Sequence, residues 1–425
     1  MKNKIKLEDF QVELQKAISP NGVRFIHYKK PNAPIAITIG SRSGSRFDPK
    51  GKEGVAHFLE HMVFMGTEKY PNKKELSLVL EDTGSSYSAG TGTEAISFEF
   101  TLAKKEYLPL IADTVDQLIN QPLLLDKRIE SEKKVIITEI TSKLDTNGRI
   151  ISNNIKKLMF GDNPITNNFS GYEESVNKIN GNDLDDYLKN IFPQDLVVVS
   201  CGGCDVNDLV NLFSPILPYK PLVNFQKANI VQRDRFYGVT KMSDRKLLYG
   251  QLAFPTCNIA SEDKLALNML SSYLGGGKTS LFKEILRYDN GLLYSVRSGN
   301  SYYSDTGYFH VDFSLKKENL ELVLSKILEV INTLNEKGLP EEALNVIKNR
   351  VINSSTIHMQ TVWAWTDYQF YKELLIKDNN YYYNDFLNDI GNISKEDIVR
   401  VSKKYITKEN MYLWVVGDIE IDMLD

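Results

Sequence analysis

The stretch Ile179-Asn-Gly-Asn-Asp-Leu184, followed by Val197-Val-Val-Ser-Cys-Gly-Gly203, returns 214 residues later as Ile393-Ser-Lys-Glu-Asp-Ile398 followed by Met411-Tyr-Leu-Trp-Val-Val-Gly417. At a similar offset, Leu102-Ala-Lys-Lys-Glu106 is echoed by Leu315-Lys-Lys-Glu318, and each precedes a helical pattern. A period this long is not that of a solenoid, whose units run to about 20–50 residues. In a chain of 425 residues it predicts two domains of one fold. The boundaries expected are 1–213 and 236–425, separated by a linker at 214–235 where Pro215, Pro218 and Pro221 interrupt a stretch without clear periodicity.

In the first half, Pro20-Asn-Gly22 and Pro31-Asn-Ala-Pro34 are turn signals around a strand at 23–28, and Ile35, Ile37 and Ile39 alternate along a second strand. His27 falls in the first strand and reads as half-buried, with no ligand spacing around it. A loop rich in Gly and Ser occupies 41–54. Helical patterns cover 73–81, 104–120, 126–144, 150–159 and 182–190, and 196–199 is a short strand. The segment 84–100 ends in the alternation Ile96, Phe98, Phe100 of a half-buried strand. Its small-residue start suits close approach by another backbone.

The chemistry concentrates in Val55-Ala-His-Phe-Leu-Glu-His-Met-Val-Phe64, which holds two of the five histidines. On a helix, His57, Glu60 and His61 share one face, so two imidazoles can hold a metal ion while the carboxylate reaches its water. This is the H-x-x-E-H arrangement of an inverted zinc peptidase site. A solvated surface helix fits poorly with Phe58, Leu59, Met62, Val63, Phe64 and Met65, and burying two histidines and a glutamate is costly without a partner. A third ligand has to come from elsewhere. In Asp126-Lys-Arg-Ile-Glu-Ser-Glu-Lys-Lys-Val-Ile-Ile-Thr-Glu-Ile140, Glu132 and Glu139 lie two helical turns apart on the face of Ile136. Alone they would be an ordinary acidic stripe, and beside the histidine motif they become candidates.

The run Gly51-Lys-Glu-Gly-Val-Ala-His-Phe-Leu-Glu-His-Met-Val-Phe-Met-Gly-Thr67, followed by Glu132 and Glu139 in a Glu-x6-Glu helix, resembles the pitrilysin and insulinase family. The nearest type is the group containing mitochondrial processing peptidase beta subunits and their short bacterial relatives. The resemblance implies an α+β fold of two homologous domains, each a mainly antiparallel sheet packed with helices. It implies one zinc ion per chain, held by His57, His61 and Glu139, with Glu60 as general base and Glu132 as a supporting acid. It also implies a sheet edge at Ser88-Ala89-Gly90-Thr91 to which substrate adds as a further strand. The family pattern there is Asn-Ala-x-Thr, so Ser88 replaces an asparagine.

The second half lacks the metal chemistry. Leu267-Asn-Met-Leu-Ser271 has neither His nor Glu, and an offset of 213 carries Glu132 and Glu139 onto Asn345 and Ile352. Gly275-Gly-Gly-Lys-Thr279 contains part of a phosphate-binding loop, but Ser272 stands where the full motif needs glycine and no strand precedes it. Arg287 and Tyr294 have the Arg-x6-Tyr spacing of the family. The resemblance assigns Arg287 to the substrate main chain and Tyr294 to the oxyanion. His310 and His358 read as structural.

A formal charge of −4 without a basic block gives no nucleic-acid signature, and no segment approaches the ~18 apolar residues of a membrane helix. The stretch 1–10 has positive charge but no apolar run behind it, which predicts a cytoplasmic protein. Cys201, Cys204 and Cys257 form no disulfide framework, and Cys201-Gly-Gly-Cys204 reads as a strand-end turn. A redox or metal-storage role for that pair would predict thiol-dependent activity. The function expected is zinc-dependent endopeptidase action on unfolded or extended peptides, including leader segments. The alternatives are a subunit that needs an inactive homologous partner, or a non-catalytic structural subunit. With two domains where the family's chambers use four, a homodimer or such a heterodimer is expected.

Overall fold

In the computed structural model, residues 7–144, 146–232, 235–376 and 379–423 are described. The reading of 1–10 therefore rests partly on residues outside the described ones, as does that of the linker at 233–234. Six strands form the first sheet: β1 (Glu13–Ile18), β2 (Arg24–Lys29), β3 (Ile35–Ser41), β4 (Ser86–Thr91), β5 (Ile96–Leu102) and β6 (Val197–Gly202), in the order β1-β2-β6-β3-β5-β4. Five form the second: β7 (Tyr237–Lys241), β8 (Leu248–Thr256), β9 (Leu293–Tyr302), β10 (Gly307–Leu315) and β11 (Tyr412–Gly417), in the order β7-β11-β8-β10-β9.

Without β1 the two orders coincide. Each sheet is antiparallel except for one parallel pair, β2 with β6 and β7 with β11. The repeat is thus carried in strand order and direction as well as in sequence. In the last strand of each copy the match is one residue out of step with the motif alignment. The strand-end glycines that correspond are Gly202, at φ 146°, and Gly417, at φ 148°. A Cβ on Gly202 would lie 2.4 Å from the Pro34 carbonyl oxygen, so neither the backbone angle nor the space admits another residue.

The first core lies on one face of its sheet. Phe25, Ile37, Ile39, Phe98, Phe100 and Val198 pack against the helices α1 (Val55–Val63), α2 (Lys73–Glu81), α3 (Leu108–Asn120) and α4 (Asp126–Leu144). All seven residues of β3 are buried, because the opposite face is also covered. The helix Val362–Leu375 lies there: Trp365 meets Tyr28 at 4.7 Å between ring centroids, and the Tyr28 hydroxyl donates to Gln369. It comes so near that a Cβ on Gly40 would fall 2.4 Å from the Phe370 ring. In the second sheet the equivalent cover is α5 (Asn147–Phe160), whose Ile155, Met159 and Phe160 pack with Ala253, Tyr308 and Tyr412.

Each sheet therefore takes one covering helix from the other half of the sequence. The repeat divides the chain at the linker, whereas compactness divides it into Met1–Ser142, Asn167–Gln226 and Thr356–Asn384 on one side and Lys143–Thr166, Lys227–Ser355 and Asp385–Asp425 on the other. The start of the linker belongs with the first unit: Phe225 lies over the Arg46 guanidinium at 4.5 Å, and Arg46 donates to the Gln226 carbonyl.

The local expectations for 73–81 and 126–144 coincide with α2 and α4. Two others change. The segment 84–100 is not one strand but a hairpin, turning at 92–95, so the sheet edge is β4, and β5 lies inside between β3 and β4. His27 is fully buried rather than half-buried, with Nδ1 2.8 Å from the Ser200 hydroxyl and Nε2 2.8 Å from the Cys204 carbonyl oxygen. Two polar partners remove the cost that alternation alone would have avoided by exposure. The Gly275 glycines follow the helix Asp263–Leu274 instead of a strand, which is not the setting of a phosphate loop. Among the described residues no helix is long and apolar enough to cross a membrane.

Asp263, at the start of that helix, ties it to the helix Lys395–Tyr405. Arg400 donates to one carboxylate oxygen, and Lys404 and the Tyr405 hydroxyl donate to the other at 2.9 and 2.7 Å. Burial alone would push this carboxyl up, but the three donors win and hold it at about 2. A folded value below the unfolded one means stability that is complete above about pH 4 and lost as pH falls towards 2. Asp263→Asn should cost about 1–3 kcal/mol near neutrality. In urea unfolding the gap from wild type should be smaller at pH 3 than at pH 7.

Candidate metal centre

Helix α1 begins where the chain can turn only on glycine. Gly54 has φ 98°, and a Cβ there would meet Gly171 Cα at 2.7 Å. Glycine offers no capping side chain, so the first N–H groups of the helix need an acceptor from elsewhere. Asp48 supplies it, accepting from Gly54 N–H at 2.6 Å and Ala56 N–H at 3.1 Å. Burial pushes its carboxyl well above the usual range, opposed by these two donors. Beyond the cap, Val55, Ala56, Phe58, Leu59, Met62 and Val63 are buried, and this leaves His57, Glu60 and His61 on the remaining face.

Helix α4 presents its acids on the same principle. Ile129, Ile136 and Ile140 bury one stripe, and Glu132 and Glu139 lie along it at helical spacing. The two helices bring four of the expected groups together. His57 Nε2 is 3.5 Å from Glu139 Oε1, His61 Nε2 is 3.7 Å from Glu139 Oε2, and the three ligand atoms lie within 4.8 Å of one another. His61 Nδ1 is 2.8 Å from Glu132 Oε1. The imidazole rings are 4.6 Å apart, and Phe169 packs edge-on against His57 at 5.6 Å.

These residues fit a zinc ion. Donors around a tetrahedral zinc with bonds of 2.0–2.2 Å stand about 3.3 Å apart, close to the two His–Glu separations and wider than good hydrogen bonds. A carboxylate oxygen can only accept, so Glu132 selects the tautomer with the proton on Nδ1 of His61 and leaves the Nε2 lone pair for a metal. Two carboxylates against two imidazoles, with Glu60 beside His61 in the chain, also give the site an excess of negative charge that a divalent cation offsets.

Glu60 is half-buried and its Oε2 accepts from the Thr91 hydroxyl at 2.6 Å. Thr91 ends β4, so the edge strand directly reaches the helix that carries His57 and His61. The Thr91 contact and the Asp48 cap were missed in the sequence: one joins residues 31 apart, and the other places an acceptor six residues before the helix start it serves. Of the four edge residues, alternation turns Ala89 and Thr91 towards the core and Ser88 and Gly90 away. Ser88 donates to Glu99 at 3.0 Å. Arg287 and Tyr294 lie in the second unit, on a π-helical turn (Lys283–Tyr288) and at the start of β9, and both side chains are exposed.

The description Insulinase (Peptidase family M16) matches residues 25–171, and Peptidase M16 inactive domain matches 178–351. The chain belongs to peptidase family M16. Its M16 relatives include the uncharacterized zinc protease YmxG of Bacillus subtilis, 23% identical over 92% of this chain and 95% of that one. Another is a probable mitochondrial-processing peptidase subunit beta of Arabidopsis thaliana, 22% identical over 94% of this chain and 78% of the relative. A solved protease structure from Helicobacter pylori has the same fold, with a TM-score of 0.85 at 16% identity, over 95% of this chain and 99% of that one. M16 zinc proteases imply zinc, and His57, His61 and Glu139 are the group here that could bind it.

The Cys201/Cys204 pair has no comparable design. Both thiols are buried, and burial pushes each up to about 12, far from the thiolate that redox or metal chemistry needs. The Asp48 cap yields a test. Asp48→Ala leaves two N–H groups at the start of α1 without their acceptor and should cost about 1–2 kcal/mol in urea unfolding, whereas Asp48→Asn, whose single amide oxygen still accepts from one of the two, should cost less.

Proposed function

We propose that this M16 chain is a zinc-dependent endopeptidase acting on unfolded or extended peptides and leader segments. The observation that carries the reading is the convergence of His57, His61 and Glu139 beside Glu60, at the end of an edge strand. When bound, zinc supplies Lewis acidity that brings the pKa of water to ~7 and polarises the scissile carbonyl.

The chain's own residues do the rest. Glu60 takes the proton from the attacking water and returns it to the leaving amine. Glu132 holds the His61 ring in one tautomer and one orientation. The edge of β4, through the backbone of Ser88, Ala89, Gly90 and Thr91, receives the substrate as an added strand, so recognition reads main chain first and favours extended segments. By the sequence resemblance, Arg287 binds substrate main chain and Tyr294 donates to the developing oxyanion, and the exposure of both side chains suits groups that meet substrate.

A second reading has specific support. Residues 178–351 match a description that names the domain inactive, and a relative is named a subunit. On that reading the chain works in a pair, as a homodimer or with an inactive homologue. The reducing cytoplasm is the compartment proposed, in keeping with three free cysteines.

Glu60→Gln should retain zinc and lose cleavage of unstructured peptides by at least 100-fold, and full cleavage by the zinc-loaded variant would overturn the assignment. Glu132→Gln should weaken zinc binding about 10- to 100-fold in competition with a chelator. If the wild-type protein alone loads zinc and cuts nothing, the paired reading is favoured and the mass of the active assembly decides it.

A further inference from the structure

Thr91 stands at the junction of two parts that the proposed reaction needs to keep in register, the strand edge and the base. Its hydroxyl donates to Glu60 Oε2 at 2.6 Å, and Glu60 Oε1 accepts no hydrogen bond among the described residues. One carboxylate oxygen is therefore anchored and the other is open. A glutamate has three side-chain torsions, and on the half-buried face of α1 the packing that holds Phe58 or Met62 does not restrain it. The Thr91 hydroxyl is the restraint.

The pleat explains why this residue and none of its neighbours can do it. Tyr87, Ala89 and Thr91 point to the core side of β4, where Tyr87 stacks on Phe64 just beyond α1 and Ala89 packs in the core. Ser88 and Gly90 point to the other side, and Ser88 is taken by Glu99. Thr91 is the last residue of the strand and pairs with Ile96, whose backbone holds the end of the edge in place. Its β-branched side chain has few rotamers, so an anchored backbone gives an anchored hydroxyl.

We propose that Thr91 is a positioning residue for Glu60: its hydroxyl fixes the carboxylate so that the free oxygen faces the attacking water, in fixed register with a peptide paired to β4. This rests on the reading of Glu60 as the general base. The role differs from backbone pairing with substrate, since it needs the hydroxyl and acts on turnover, not on peptide affinity. It also assigns the residue a donor's part only, so that serine serves and valine, of the same shape, does not.

The test compares Thr91→Val and Thr91→Ser with wild type and Glu60→Gln, reading zinc content, thermal midpoint, kcat and KM on an unstructured peptide, and peptide affinity of the metal-free proteins by fluorescence anisotropy. Thr91→Val should lower kcat about 10- to 100-fold, with KM, peptide affinity and zinc content within about twofold of wild type, and Thr91→Ser should recover most of the loss. Wild-type turnover in Thr91→Val beside an inactive Glu60→Gln overturns the positioning role alone. An active Glu60→Gln instead overturns the reading on which it rests. A rise in KM with unchanged kcat, or a loss in Thr91→Val that serine does not restore, assigns the residue to substrate pairing or to folding and overturns the proposal.

Discussion

The site depends on the apposition of α1 and α4 across a shared core. Periodicity within each helix places His57 with His61, and Glu132 with Glu139, without any help from the rest of the chain. What periodicity cannot supply is the distance between the two pairs. That distance is set by Phe58, Leu59 and Met62 on one helix and Ile129, Ile136 and Ile140 on the other, all buried in one core. A close-packed interior moves little, so the same packing that builds the core holds the His–Glu separations near those of a tetrahedral site. The converging carboxylates have an opposite effect, since their mutual repulsion works against the same packing until a cation offsets it.

Duplication shows which residues serve the fold and which the chemistry. The second sheet keeps strand order, strand direction, the single parallel pair and the left-handed glycine at the end of its last strand. It keeps neither histidine nor paired glutamates at the places that correspond. Residues common to both copies are thus those needed to close the sheet and to let backbones approach. The exchanged helices, α5 and Val362–Leu375, add a constraint that a simple tandem copy lacks. Each sheet is buried on its second face only when the other half of the chain contributes.

What could be read from the sequence follows the same division. The helix limits at 73–81 and 126–144 were legible because Asn72 caps the first and Asp126 places an acid in the first turn of the second. That His57, His61 and Glu139 could come together was expected because H-x-x-E-H and Glu-x6-Glu are local spacings that resemble a known family, and the structure brings them together as a group that could hold a metal. The hairpin at 86–102 was not: Gly90, Gly92 and Ser88 weaken alternation where the first strand lies, so only the strongly apolar β5 stood out. β1 was missed for a similar reason, since Glu13, Gln15 and Lys16 leave little apolar signal on an edge strand that is largely solvated. The burial of His27 and the hydroxyl contact of Thr91 are long-range facts, decided by which strand or helix lies opposite, and no local pattern encodes them.

An exposed sheet edge is normally a hazard, because its unpaired backbone groups invite another chain. β4 reduces that hazard by being short and by carrying Ser88 and Gly90 on the face away from the core, while its other face is held by Tyr87, Ala89 and Thr91. The features that make the edge safe also suit it to brief pairing with a peptide: small side chains leave room for a second backbone, and six residues give limited affinity. On the proposed function, weak pairing at this edge would permit release after cleavage, and the Thr91–Glu60 contact would link the edge to the proposed base. On that reading the strand is both a protected boundary of the sheet and the place where substrate is aligned, since pairing uses the backbone groups of its outer edge while Thr91 reaches Glu60 from its core face.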